Sequence, residues 1–269
     1  MRFSKWQGLG NHHLIVDSAA WPFPITPERA RILCNPNTGV GGDGVLEIAL
    51  GGRTPEMIVW NADGSNSESC GNGIRMVARY LADRGLLGAD GAILTGGGTV
   101  TATVLPNGRV RVDMGVATLP GGGTLEHLSG PGAVDFLDVN MGNPHAVIDH
   151  ADPGAVVTTL GPTIEIDPRF PERTNVEFVR ADGPGEVTMR VWERGVGETM
   201  ACGTGACAVA VAAVHLHGAP SPVTVHLLGG DLIIDVDESD LRVTMTGPAE
   251  AIYDGELSAR LVADLMAAV

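Results

Sequence analysis

The sequence predicts a mixed α/β (α+β) protein of two pseudo-symmetric halves, each a curved mixed or antiparallel sheet wrapped around a central helix. Three observations carry that expectation. A pair of motifs recurs at one offset, short strand-like segments recur along the chain, and one helix-like stretch in each half follows a Cys-Gly-x-Gly motif directly.

The repeat comes first. Gly-Asn-His-His-Leu-Ile-Val-Asp at 10–17 resembles Gly-Asn-Pro-His-Ala-Val-Ile-Asp at 142–149, so Asn11 matches Asn143 and His13 matches His145. Cys70-Gly-Asn-Gly then matches Cys202-Gly-Thr-Gly. Asn143 stands 132 positions after Asn11, and Cys202 stands 132 after Cys70. Two unrelated matches at one offset imply a duplicated architecture. The period is far longer than the roughly 20–50 residues of stacked repeats, so the expectation is two domains facing each other.

The strand-like segments are Leu14–Val16, Met57–Trp60, Thr99–Leu105 and Arg109–Met114, rich in β-branched residues and bounded by Gly, Pro or Asn. After Cys70 the pattern changes: Ile74–Leu81 runs without breakers and stops before Gly85, a helix with a glycine cap. Its counterpart, Ala206–Leu216, stops before Gly218 and is almost wholly small and apolar, the signature of a helix buried on all sides. The Gly- and Pro-rich stretch 117–132 reads as a linker. The halves are then 1–117 and 118–255, with a helix in the last segment, 256–269, packing back on the first half.

Composition limits function. With 269 residues, 44% of them hydrophobic, the chain can bury an ample core. A net charge of −15 would repel phosphate backbones and anionic bilayers, which argues against nucleic acid and membrane partners. No signal-like apolar stretch occupies 1–11, and no uncharged run of about 18 residues could span a bilayer, so a cytoplasmic protein is expected. Four cysteines in a reducing compartment are not a disulfide framework, and they lack the C-x-x-C pairs of a zinc site.

Cys70 and Cys202 each precede Gly-x-Gly and a helix, whose first-turn N–H groups favour a carboxylate and a thiolate. Two such thiols flanking one carbon can invert it: one takes the α-proton from one face while the other delivers a proton to the opposite face. Donors on the developing enolate-like carboxylate and a dry site complete the requirement. No pyridoxal-lysine site, nucleotide motif or metal cluster is apparent, so the expected cofactor and the expected metal are both none. Cys34 and Cys207 lack the glycine context and read as buried hydrophobes. His13 and His145 read equally as structural or functional groups. Asp17 and Asp149 read as strand ends, and Trp6, Trp60 and Trp192 as core. Gly39–Gly44 formally matches G-x-G-x-x-G, but a strand, 45–50, follows it where a dinucleotide site needs a helix. The glycine runs 96–98 and 121–123 read as turns or linker.

Along nearly its whole length the chain resembles the diaminopimelate epimerase family. The matching segments are Lys5-Trp-Gln-Gly-Leu-Gly-Asn11, Asn61-Ala-Asp-Gly-Ser65, Cys70-Gly-Asn-Gly-Ile-Arg75, Gly142-Asn-Pro-His145, Thr174-Asn-Val-Glu177, and Trp192 through Gly205. The resemblance implies an active site in the cleft between the halves, cofactor-independent interconversion of LL- and meso-2,6-diaminopimelate for lysine and peptidoglycan precursors, and a homodimer. It implies catalytic thiols at Cys70 and Cys202, tuned by His145 and Glu193. Substrate-binding positions fall on Asn11, Asn61, Gly71, Asn72, Asn143, Asn175, Glu193, Arg194, Gly203 and Thr204. This chain departs from the pattern at His12 and His13, where the family carries Asp and an aromatic, and at Gly44, where some members carry Gln. The same thiol chemistry on histidine or another diamino acid therefore stays open. A non-catalytic amino-acid-binding module is the reading from a different class.

Overall fold

The computed structural model describes residues 1–67, 70–88, 90–125 and 133–268. The chain forms two compact units, Met1–Val112 with Gly247–Val269, and Asp113–Thr246.

The first unit contains β1 (Arg2–Gly8), β2 (Asn11–Asp17), α1 (Pro27–Cys34), β3 (Gly44–Ala49), β4 (Glu56–Asn61), β5 (Asn66–Ser67), α2 (Gly71–Asp83), β6 (Asp90–Thr95), β7 (Gly98–Val104) and the start of β8 (Val110–Val116). Strands β1 and β2 are antiparallel, β2 and β3 parallel, and β3 and β4 antiparallel. Next, β4 pairs antiparallel with β5 and parallel with β6, and β6–β7 and β7–β8 are antiparallel.

The second unit contains the end of β8, β9 (Thr118–Leu125), β10 (Val134–Asn140), β11 (Pro144–Asp149), α3 (Pro153–Glu165), β12 (Asn175–Gly183), β13 (Glu186–Glu193), β14 (Gly197–Glu198), α4 (Gly203–His217), β15 (Val223–Leu227), β16 (Gly230–Val236) and β17 (Arg242–Gly247). Its pairings follow the same succession. β10–β11 is antiparallel, β11–β12 parallel, β12–β13 and β13–β14 antiparallel, β13–β15 parallel, and β15–β16 and β16–β17 antiparallel. The duplication read from two motifs thus extends to every strand pairing.

Two more elements close the chain, β18 (Glu250–Glu256) and α5 (Ala259–Ala267). β18 pairs antiparallel with β1, so 247–255, assigned by sequence to the second half, belongs to the first unit. Helix α5 packs on that unit. Leu257 and Leu265 join a core of Phe3, Leu14, Val16, Trp21, Ile25, Ala30 and Leu33.

The linker expectation needs correction. Of 117–132, Thr118–Leu125 is strand β9, and Gly121, Gly122 and Gly123 pair with Asp138, Leu137 and Phe136 of β10. Glycine weakens a strand but does not forbid one when a partner strand supplies the ladder. The remainder, 126–132, lies outside the described residues.

Each sheet wraps one helix. Helix α2 packs on β1, β2, β3, β4, β6, β7 and β18, and α4 on β10, β11, β12, β13, β15 and β16. Helix α4 is buried from Gly205 through Val214, as its small apolar composition requires. The two helices stop by the predicted glycines. Gly85, at φ 68°, donates to the Ala82 carbonyl while Leu86 donates to that of Leu81, a Schellman closure. Gly218, at φ 60°, ends α4 in the left-handed conformation that a side chain disfavours.

Candidate active site

Both helices begin on a cysteine. Cys70 is the N-cap of α2, and its Sγ accepts the Gly73 N–H at 3.3 Å. Cys202 is the N-cap of α4, and its Sγ accepts the Gly205 N–H at 3.4 Å. Sulfur thus takes the place usually held by a Ser, Thr, Asp or Asn oxygen. The side chain following each glycine reaches back to the matched asparagine. Asn72 Nδ2 donates to Asn11 Oδ1 at 3.4 Å, and Asn143 Nδ2 donates to Thr204 Oγ1 at 3.4 Å. Residues 11, 70, 71 and 72 form one cluster in the first unit, and 143, 202, 203 and 204 form its counterpart in the second.

In the first unit, Asp43 fixes Asn11: its Oδ2 accepts from Asn11 Nδ2 at 3.0 Å and from the His12 N–H at 2.8 Å. Asn61 sits opposite Gly44 in the β3–β4 register, with its amide on Ser65 and Ser67. Arg75 is fully buried beneath the start of α2 and donates to Gly71 O (3.3 Å), Asn72 Oδ1 (2.7 Å) and Pro248 O (3.1 Å). The Gly39–Gly44 segment leads into strand β3, not a helix, as the sequence indicated.

The second unit is built on buried acids. His145 and Glu177 are both inaccessible, with Nδ1 2.7 Å from Glu177 Oε1 and Nε2 3.1 Å from Asn143 Oδ1. An amide oxygen only accepts, so Nε2 donates to Asn143 while Nδ1 is paired with the Glu177 carboxyl. The backbone leaves Glu177 little freedom: a Cβ on Gly205 would lie 2.7 Å from its Oε1. Glu193 is hydrogen-bonded by Thr199 and by the Cys202 thiol. Burial first, and then Glu177, raise the Glu193 carboxyl above its ordinary range, against those two hydrogen bonds.

The expectation that a helix N-terminus lowers the thiol's pKa fails at Cys202. Burial, followed by Glu193 and Glu177, pushes it well above the ordinary thiol value, against the smaller opposing effects of Thr204 and the Gly205 N–H. Desolvation of a thiolate outweighs the dipole here. Cys202 therefore rests as a thiol.

Asn175 spends its amide on the backbone, donating to Pro144 O (2.9 Å) and accepting from the Arg194 N–H (3.0 Å), so it ties β12 to the turn after β13. Arg194 is exposed, with one guanidinium nitrogen on Glu172 O. Cys34 and Cys207 are buried, and burial lifts Cys34 to about 12, consistent with inert core thiols. Trp6 is core, while Trp60 and Trp192 are half-buried. Asp17 and Asp149 end β2 and β11. Sequence reasoning passed over Glu177, Arg75 and Asp43. The available signal for Glu177 was one acid inside the apolar strand Asn-Val-Glu-Phe-Val.

Comparison with known proteins gives one answer. The family described as diaminopimelate epimerase matches residues 3–120 and 137–252. A diaminopimelate epimerase of Synechococcus sp. (strain JA-3-3Ab) is 44% identical over 277 residues, covering 95% of this chain and 97% of the relative. That of Pelotomaculum thermopropionicum is 44% identical over 278 residues, covering 95% and 98%. Among solved structures, a hydroxyproline epimerase from Agrobacterium vitis superposes with a TM-score of 0.71 at 17% identity, over 95% of this chain and 91% of the other. A PhzF-family phenazine biosynthesis protein of Bacillus anthracis gives 0.71 at 16%, over 96% and 99%. The structural likenesses speak to fold alone. With the family match spanning both units and both cysteine motifs, the chain belongs to the diaminopimelate epimerase family.

Proposed function

We propose that the protein interconverts LL- and meso-2,6-diaminopimelate without a cofactor, with Cys70 and Cys202 acting as a thiolate–thiol pair. The observation that carries this reading is the placement of each thiol as the N-cap of its unit's central helix, at equivalent positions of a duplicated fold. One thiolate removes the α-proton and becomes a thiol. The electron pair left on carbon spreads into the α-carboxylate, where first-turn N–H groups at Gly71, Asn72, Gly203 and Thr204 stabilise it. The opposite thiol then gives its proton to the other face and is left as the thiolate. Each turnover exchanges the protonation states of the pair.

Glu193 and His145 tune the Cys202 end in this scheme. Glu193 touches the thiol, and His145 connects the buried Glu177 to Asn143 and, through Thr204, to the sulfur, with Cys202 Sγ 3.6 Å from Thr204 Oγ1. Arg194 suits a distal carboxylate by a charge-assisted pair, while Asn11, Asn61, Asn72, Asn143 and Asn175 frame the polar groups of the amino acid. The enzyme would serve lysine and peptidoglycan precursors in the cytoplasm; no helix among the described residues is long and apolar enough to cross a membrane. Exposed β18, with Ile252 and Tyr253 open to solvent, supports pairing of two copies as a homodimer.

A second reading, the same chemistry on another amino acid, is favoured by His12, His13 and Gly44 at positions where the family pattern differs. Incubating a panel of amino acids with the protein in D₂O and measuring α-deuterium by NMR decides between them. Uptake in diaminopimelate is expected. No uptake there, with uptake in another substrate, would sink the leading reading.

A further inference from the structure

We propose that His13 is a substrate-binding residue of this site, its imidazole accepting a hydrogen bond from an ammonium group of the amino-acid substrate. The proposal rests on the epimerase reading above and goes beyond the positions that the family resemblance supplies.

The first observation is an orphan. His13 is 3% exposed, its Nδ1 is buried without a partner, and among the described residues neither ring nitrogen has a hydrogen bond. A buried polar atom left unpaired costs free energy, so each instance needs an account. The repeat shows what is missing. His145, its counterpart, has both nitrogens engaged, by Glu177 and Asn143. Across the parallel strands, Ile15 faces Leu46 where Val147 faces Glu177, so Leu46 occupies the place of the carboxylate.

The second observation is packing. His13 faces Gly44 across β2 and β3, and a Cβ on Gly44 would lie 2.9 Å from the ring's Cδ2, 3.0 Å from its Nε2 and 2.4 Å from Trp60 O. The ring therefore fills the volume in which a side chain at 44 would begin. At the equivalent place in the second unit, Asn175 carries a side chain that spans to the backbone. The imidazole and the glycine form one packed unit.

The third observation is position. Asn11 lies two residues earlier on the same face of β2, and Asn61 lies across from Gly44 on β4, so the ring sits between two proposed substrate contacts. The side-chain oxygens of those asparagines already accept from Asn72 and Ser67. Burial holds His13 neutral, with a pKa near 4, so it keeps an unengaged lone pair and brings no positive charge against an ammonium group.

The test combines kinetics with ¹⁵N NMR of the imidazole in the unaltered protein. In His13→Phe the KM for diaminopimelate is expected to rise about tenfold with kcat changing less than threefold, the loss of one ground-state hydrogen bond. His13→Asn, which keeps an acceptor, should recover part of the KM. Adding meso-diaminopimelate to the unaltered protein should move the His13 ring nitrogen resonance. An unmoved resonance, or an unchanged KM in the Phe variant, would overturn the assignment and leave the ring satisfied by water. Should the variants fail to fold, the resonance alone decides. Absence of α-deuterium uptake into diaminopimelate overturns the function reading instead, whereas an unmoved resonance in an enzyme that exchanges overturns only His13.

Discussion

The two helix starts share a backbone and differ in the charges buried beneath them. At Cys70 the buried group is a cation, Arg75, which holds Gly71 and Asn72. At Cys202 the groups are acids, buried Glu177 with His145 and half-buried Glu193 with the thiol itself, and 132 positions after Arg75 stands the apolar Cys207. The histidines diverge in the same way. His145 pairs with a carboxylate, while His13 faces Gly44, has Leu46 where the second unit has Glu177, and is held neutral. Strand order, register and N-caps survive duplication because each depends on backbone geometry. Buried charges do not have to survive, because each half needs only one self-consistent set. The lesson is that a symmetric architecture can carry two chemically distinct thiols.

The largest effect expected breaks the pair itself. Cys70→Ala and Cys202→Ala should each lower epimerisation of diaminopimelate by roughly 10²–10⁴-fold or more, since each removes one of two groups that must transfer a proton. Either variant retaining near-full turnover in both directions would refute a two-thiol mechanism. The comparison is sharpened by alkylation of the unaltered protein at neutral pH. Half-buried Cys70 should react with iodoacetamide before Cys202, which is buried and held as the thiol. Peptide mass spectrometry showing Cys202 modified first would reverse the assignment.

The next effect is on stability and belongs to the first unit. Burial is the largest cause lowering His13 from 6.5 to about 4, with His12 acting the same way and Asp43 opposing, so the unfolded chain binds this proton more readily than the folded one. Stability from this group is therefore fully present above about pH 6.5 and is lost as pH falls towards about 4. The shift corresponds to roughly 3 kcal/mol. Urea unfolding at intervals between pH 7.5 and 4 should show this decline in the unaltered protein and a shallower one in His13→Phe. Parallel profiles would mean that His13 does not titrate differently on folding.

Much of this was legible from the letters because it is local or repeated. The matched Asn and Cys motifs gave the duplication, and small apolar residues from Ala206 onward gave a buried helix. What was not legible depends on partners distant in sequence. Gly121–Gly123 became a strand because β10 lies beside them, and 247–255 joined the first unit because β18 pairs with β1. A helix start suggested an acidified thiol, yet Cys202 is driven the other way by its burial and by carboxylates from β12 and β13. Spacing reveals where a thiol sits along the chain, whereas its titration depends on what the fold places around it.

The smallest effect addresses the charge difference between the units most directly. Replacing Glu177 with Leu copies the first unit's residue, Leu46, into the second. His145 would then lose the acceptor on Nδ1 and stand as His13 stands, buried with an unpaired nitrogen. The cost is that of one unsatisfied buried polar atom, about 1–3 kcal/mol. The urea midpoint should fall accordingly. The same change removes one carboxylate that raises the Cys202 thiol, so alkylation of Cys202 should begin at lower pH than in the unaltered protein. A structural role for Glu177 alone predicts the lowered midpoint without the shifted alkylation profile. If both profiles stay fixed, Glu177 does not set the difference between the thiols, and burial together with Glu193 must account for it.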